Sequence, residues 1–185
     1  MRPNWFFAFP IDGAFVASLP DVPTGIRRFP PEDVHLTVAF LGGCGEAGAE
    51  RGLLALERAL AGEPLSPIQV SLGEVVPMGS VRRYSALSAL VERGRERTEM
   101  YIRALGDRIT EAAIDRIVER EPKAHVTLAR PMRRATDAQR RAGVDWARGL
   151  DLRGVCATLD RIAVYTWNEN RRERLFRVVA ERSLG

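Results

Sequence analysis

Short apolar runs with a period of two alternate along the chain with longer segments of helical period. Residues 5–9, WFFAF, are bracketed by Pro3 and Pro10. They read as a first strand and are too short for the apolar centre of a signal peptide. A short helix is expected over 12–19, then a turn-rich approach, GIRRFPPEDV, whose prolines keep the chain extended. HLTVAFL (35–41) reads as a strand closed by Gly42 and Gly43. Over 50–61, Leu53, Leu56 and Leu60 share one helical face. IQVSLGEVV and RYSALSALV read as two strands, and a long helix is expected over 97–119 with Tyr101, Leu105, Ile109 and Ala112 as its stripe. HVTLAR (125–130) is a strand again. A helix over 137–148 follows, with Thr136 and Gln139 in capping-box positions. ATLDRIAVYTW and RLFRVVAERSL close the chain as two strands around the polar turn 168–171.

A strand with a His-x-Thr phrase followed by a helix occurs once in each half. This repetition, with no linker or low-complexity stretch, predicts a mixed α+β architecture. Residues 1–185 are expected to form one domain of two intertwined lobes around a central groove. A length of 185 residues suits that size.

Composition narrows the classes. With 45% hydrophobic and 28% charged residues the chain is a globular protein without a disordered signature. No stretch reaches the roughly 18 apolar residues of a membrane helix. Cys44 and Cys156 are far apart, without metal-ligand spacing, and read as reduced thiols of a cytoplasmic protein. The net charge of +4 is carried almost entirely by arginine. It would help an anionic partner approach but does not identify one, since Arg alternates with Glu in RGRERTE and NRRERLF as on ordinary solvated faces.

The chemistry lies in the repeated phrase. The chain has two histidines, His35 and His125, and each is followed two places later by threonine, Thr37 and Thr127. There are eight threonines, so this coincidence is a roughly 0.2% event on composition alone. Strand alternation puts His35 and Thr37 on one face and Leu36, Val38 and Phe40 on the other; His125 and Thr127 oppose Val126 and Leu128 in the same way. Two polar faces opposed across a groove would hold two imidazoles and two hydroxyls around one small volume. Paired imidazoles can divide acid and base duties in displacement at phosphorus, and hydroxyls can donate to phosphate oxygens. Nothing in the spacing suggests a metal site.

With these phrases the sequence resembles the two-histidine (2H) phosphoesterases, specifically the RNA 2′,3′-cyclic phosphodiesterases also called 2′-5′ RNA ligases. WFFAFPID, FPPEDVHLTVAFLG, AHVTLAR and the final LDRIAVYTW…RLFRVVAERSL carry the resemblance along nearly the whole chain. It implies a bilobal, pseudo-symmetric α+β fold of two antiparallel sheets with outer helices around a central cleft. It implies metal-independent, cofactor-free hydrolysis of a 2′,3′-cyclic phosphate to a 2′-phosphomonoester. His35 would protonate the departing 3′ oxygen and His125 would activate water, roles that exchange when the reaction runs as ligation. Thr37 and Thr127 would bind phosphate. Arg130 closes the second motif as in relatives; strict alternation aims it away from the cleft unless the strand ends there, so substrate contact and ordinary surface position both stand. The expected partners are RNA with 2′,3′-cyclic phosphate ends or small cyclic nucleotides, and the protein is expected to be a monomer. The alternatives are 2′-5′ ligation of tRNA halves and a non-catalytic module that binds RNA ends.

Overall fold

The computed structural model describes residues 2–63, 65–80, 82–116, 121–171 and 173–185. Nine strands and three α-helices follow one another as β1 (Trp5–Pro10), β2 (Ile26–Arg28), β3 (His35–Gly42), α1 (Gly45–Gly62), β4 (Ile68–Pro77), β5 (Leu87–Val91), α2 (Arg95–Ile114), β6 (His125–Pro131), α3 (Asp137–Arg148), β7 (Cys156–Leu159), β8 (Arg161–Trp167) and β9 (Phe176–Ser183). Single 3₁₀ segments at Ala14–Ser18 and Pro31–Asp33 fill the approach to β3. Among the described residues no helix is long and apolar enough to cross a membrane.

All pairings are antiparallel. The strands form one path of order β7-β4-β5-β6-β3-β1-β8-β9, with β2 added to β6. The expected α+β class is therefore present, but the expectation of two sheets is corrected: the strands are continuous through β3–β6. That junction is thin, a single register pair, Leu36↔Val126. The two His-x-Thr phrases are the two strands that meet there.

The main core lies on the side of β3 and β6 carrying Leu36, Val38, Val126 and Leu128, beneath the helices. Leu56 of α1 and Ile109 of α2 are fully buried in it. Close approach of α2 to β3 depends on Gly106, where a Cβ would stand 3.0 Å from the Val38 carbonyl oxygen. A second, smaller cluster of Phe6, Ala8, Phe29, Ala163, Tyr165, Leu175 and Phe176 lies apart from it.

Several boundaries differ from the sequence expectation. The helix expected over 97–119 runs Arg95–Ile114 and ends where Asp115 turns left-handed at φ 52°; the expected stretch 117–119 lies outside the described residues. Ala113 rather than Ala112 completes its buried stripe. ATLDRIAVYTW is two strands broken at Asp160, because β7 pairs with β4 while β8 pairs with β1. In RYSALSALV only Leu87–Val91 is strand; Tyr84 instead turns into the core and donates its hydroxyl to the Arg140 carbonyl at 2.9 Å. The helix Asp137–Arg148 has the expected bounds and its capping box is formed. The sequence pattern does not predict β2, whose short pairing with β6 is decided by tertiary contact.

Candidate active site

The junction assembles the phrase residues. Because Leu36 pairs with Val126 in antiparallel register, the residues one step either side face each other crosswise. His35 stands opposite Thr127, and Thr37 opposite His125. Opposed residues have Cβ atoms about 4.5–5.5 Å apart. Each motif's imidazole thus neighbours the other motif's hydroxyl, all four on the face away from Leu36 and Val126. The next strands complete the floor: Ala8 pairs with Thr37 and Ser88 with Thr127.

Both rings are fixed by the same local device. His35 Nδ1 donates to the Asp33 carbonyl at 2.6 Å, and His125 Nδ1 donates to the Lys123 carbonyl at 2.6 Å. A carbonyl can only accept, so Nδ1 carries the hydrogen in both neutral rings. In that tautomer Nε2 is the ring nitrogen that carries the lone pair.

Their surroundings differ. His35 is 9% exposed and lies in an aromatic nest, with ring centroids 4.8 Å from Phe6, 5.5 Å from Tyr165, 5.6 Å from Phe176 and 6.4 Å from Phe29. Burial pushes its pKa down to about 4, repulsion from Arg130 and His125 adds to this, and the Asp33 carbonyl opposes it. At neutral pH the ring is uncharged in the free protein, and it needs a neighbouring anion before it can serve as an acid. His125 is only half buried.

Arg130 is turned toward this side by an irregular ladder. Thr127 pairs with Ser88 but Ala129 with Leu87, so β6 carries one extra residue there. Leu128 and Ala129 both enter the main core. Such a bulge inverts the alternation beyond it. The Arg130 guanidinium lies 4.7 Å from the centre of the Phe29 ring, within the nest of His35.

The same device operates in β3. Thr37 pairs with Ala8 and Ala39 with Phe7, and Val38 and Ala39 both face the core. The expectation that Phe40 belongs to the buried face is corrected: it pairs with Phe6, and its ring is 58% exposed on the histidine side.

Four further residues do not emerge from the sequence. Ser88, fully buried, shares a 3.2 Å hydrogen bond with the Thr127 hydroxyl and holds it in place; a serine inside an apolar strand is the available signal. Asp33 is fully buried and accepts from the Leu175 and Phe176 backbone N–H groups at 2.6 and 3.1 Å, tying the β8–β9 hairpin to the turn before His35. Its pKa is raised by burial, against the lowering effect of those N–H groups and Arg174. Arg27 and Arg171 stand beside Arg130, and only the tertiary fold brings them there. Among the described residues no three His, Cys, Asp or Glu side chains are grouped to hold a metal ion, and both cysteines are free thiols.

The fold carrying this arrangement is that of the two-histidine phosphoesterases. A phosphoesterase structure matches with a TM-score of 0.71 and 14% identity, covering 98% of both chains. TT0787 of Thermus thermophilus matches with a TM-score of 0.69 and 22% identity over 98% of this chain and 97% of that one. LigT of E. coli, in complex with 3′-AMP, matches with a TM-score of 0.69 and 16% identity over 99% and 98%. No family profile and no curated protein sequence matches the chain.

Proposed function

We propose that the protein is a metal-independent phosphodiesterase that opens a 2′,3′-cyclic phosphate at the end of RNA, or on a nucleotide, to leave a 2′-phosphomonoester. The observation that carries this is the crossed quartet at Leu36↔Val126, two imidazoles of the same tautomer and two hydroxyls on one face. Displacement at phosphorus moves one proton from the attacking water and one to the leaving oxygen, and a histidine on each strand suits that division. His125, the more exposed ring, takes the proton from water. His35 gains a proton as the phosphate anion binds, and delivers it to the 3′ oxygen inside its aromatic nest. Thr37 and Thr127 donate to the non-bridging oxygens, with Thr127 oriented by Ser88. The exposed Phe40 ring offers a base a stacking surface. That LigT structures hold 3′-AMP, ATP or phosphate fits a site of this chemistry.

The test is turnover of a panel of 2′,3′-cyclic nucleotides with product identified by mass and chromatography. His35→Ala and His125→Ala should each lower kcat by at least about 10³-fold, at the upper part of the range for a proton-transfer group, while circular dichroism stays native. EDTA should leave the rate unchanged. Near wild-type turnover by either variant would overturn the mechanism. Ligation uses the same groups in reverse; tRNA halves, one ending in a cyclic phosphate, would give a joined product in the same assay if that direction prevails.

A further inference from the structure

The two motif phrases are alike from the histidine onward and differ just before it. Two places ahead of His35 stands Asp33, and two places ahead of His125 stands Lys123. In each phrase the backbone carbonyl of that residue accepts from the ring Nδ1 at 2.6 Å, so the main chain treats both rings alike. The side chains do not. Lys123 is exposed, whereas Asp33 is fully buried.

Both oxygens of the Asp33 carboxylate are spent on a segment distant in the chain. Oδ2 accepts from the Leu175 N–H at 2.6 Å and Oδ1 from the Phe176 N–H at 3.1 Å. Arg174 adds to the tie, with Nε 3.7 Å from Oδ1 and Nη2 donating to the Glu32 carbonyl at 3.2 Å. A carboxylate satisfies two adjacent N–H donors at once. A neutral amide has one acceptor oxygen and turns its NH2 against the second donor. The residue held by this tie is one that encloses the catalytic ring. Phe176 stands edge-on to His35 at 5.6 Å and edge-on to Phe6 at 4.8 Å, and Phe6 lies 4.8 Å from His35 in turn. Asp33 therefore acts on His35 twice, directly by its carbonyl and through Phe176 by its carboxylate. The exposed Lys123 has no carboxylate with which to do the same for His125.

We infer that Asp33 is a positioning residue that makes the two histidines unequal: through the backbone of Leu175 and Phe176 it shuts His35 away from water and so assigns that ring the acid's part. The acid's part rests on the catalytic reading above; the enclosure does not. An enclosed imidazole has little affinity for a proton, gains one beside a bound phosphate, and then releases it readily to the leaving oxygen. Arg130 and His125 across the junction repel a proton from His35, and the Asp33 carbonyl retains one. Tyr165 of β8 also faces the ring. Losing the negative charge of Asp33 would by itself lower the proton affinity of His35 further, whereas losing the enclosure would raise it. The two effects have opposite signs.

NMR titration of His35 without substrate tests the enclosure in the wild type, Asp33→Asn, Phe176→Leu and the double variant. In Asp33→Asn the ring should titrate well above the wild-type value of about 4, toward the ordinary 6.5. Phe176→Leu should raise it as well. The double variant should go no further than the larger single effect, because both act through one ring contact. An unchanged or lowered titration in Asp33→Asn overturns the positioning role, as does a double variant in which the two rises add. Arg182 joins β9 to Glu57 of α1 at its other end. Arg182→Gln loosens the same strand there and should leave the titration in place; a comparable rise overturns the specific tie. Should Asp33→Asn not fold, Asp33→Ser, with one neutral oxygen and no NH2 to oppose the backbone, replaces it with the same expected and overturning results. On 2′,3′-cyclic AMP the Asp33 variant should lose kcat about tenfold or more, with KM changed less than about threefold. A loss confined to KM overturns action through His35. A wild type that turns over no cyclic nucleotide refutes the catalytic reading and leaves the titration to decide the enclosure.

Discussion

His35 pairs a protonation equilibrium with a structural position. Its ring is depressed to about 4 in the folded protein, against an ordinary value of 6.5. The unfolded chain thus binds a proton more readily, and folding stability due to this group is complete above pH 6.5 and is lost as pH falls toward 4. The shift corresponds to about 3 kcal/mol. Asp33 works in the opposite sense, since its raised carboxyl favours the folded state when protonated. Comparing wild type with His35→Gln cancels that effect: urea unfolding should show the wild type losing stability relative to the variant between pH 6.5 and 4. With only two histidines in the chain, NMR titration should resolve the one that titrates near 4 and show it rising when inorganic phosphate is added. A free-protein titration near 6.5 for both rings would contradict the buried, nested position.

At the scale of elements, two bulges at matching places decide what the motif strands display. One follows Thr37 and the other follows Thr127, and each turns outward the fifth residue beyond its histidine: Phe40 in β3 and Arg130 in β6. Period-two reading places both histidines and both threonines correctly, because they precede the bulge, and fails at Phe40, which follows it. It leaves Arg130 undecided for the same reason. A bulge is fixed by how neighbouring strands and helices pack, and Val38 and Ala39 carry no local mark of it. Gly106 of α2 lies over the β3 bulge, with its would-be Cβ 3.0 Å from the Val38 oxygen. Gly106→Val should cost about 2 kcal/mol by overpacking, read as a lower thermal midpoint. A more stable variant would mean the helix yields easily and does not hold the bulge.

Across the whole molecule, the sequence reveals the architecture through its repetition but not how the halves join. Strand-with-motif then helix is legible twice, as β3–α1 and β6–α3. The continuous sheet, the pairing of β2 with β6 and the break at Asp160 are not, because each depends on partners distant in the chain. Asp33 is the clearest such link, accepting two backbone N–H groups from residues 142 and 143 positions away. Asp33→Ala would leave those donors buried without partners at about 1–3 kcal/mol each. It should lower the urea midpoint accordingly and reduce kcat on a cyclic nucleotide, because Phe176 packs on His35. Unchanged stability would show that water reaches the hairpin and replaces the carboxylate.

The crossed neighbours at Leu36↔Val126 also set a timetable for the chain as it leaves the ribosome. A nascent polypeptide that has exposed β3 but not β6 has an imidazole without the hydroxyl it must face, and the nest of that imidazole waits still longer for Tyr165 and Phe176. A chain cut before β8 lacks Tyr165 and Phe176 from the nest of His35, and under the proposed mechanism such a fragment should not turn over a cyclic phosphate.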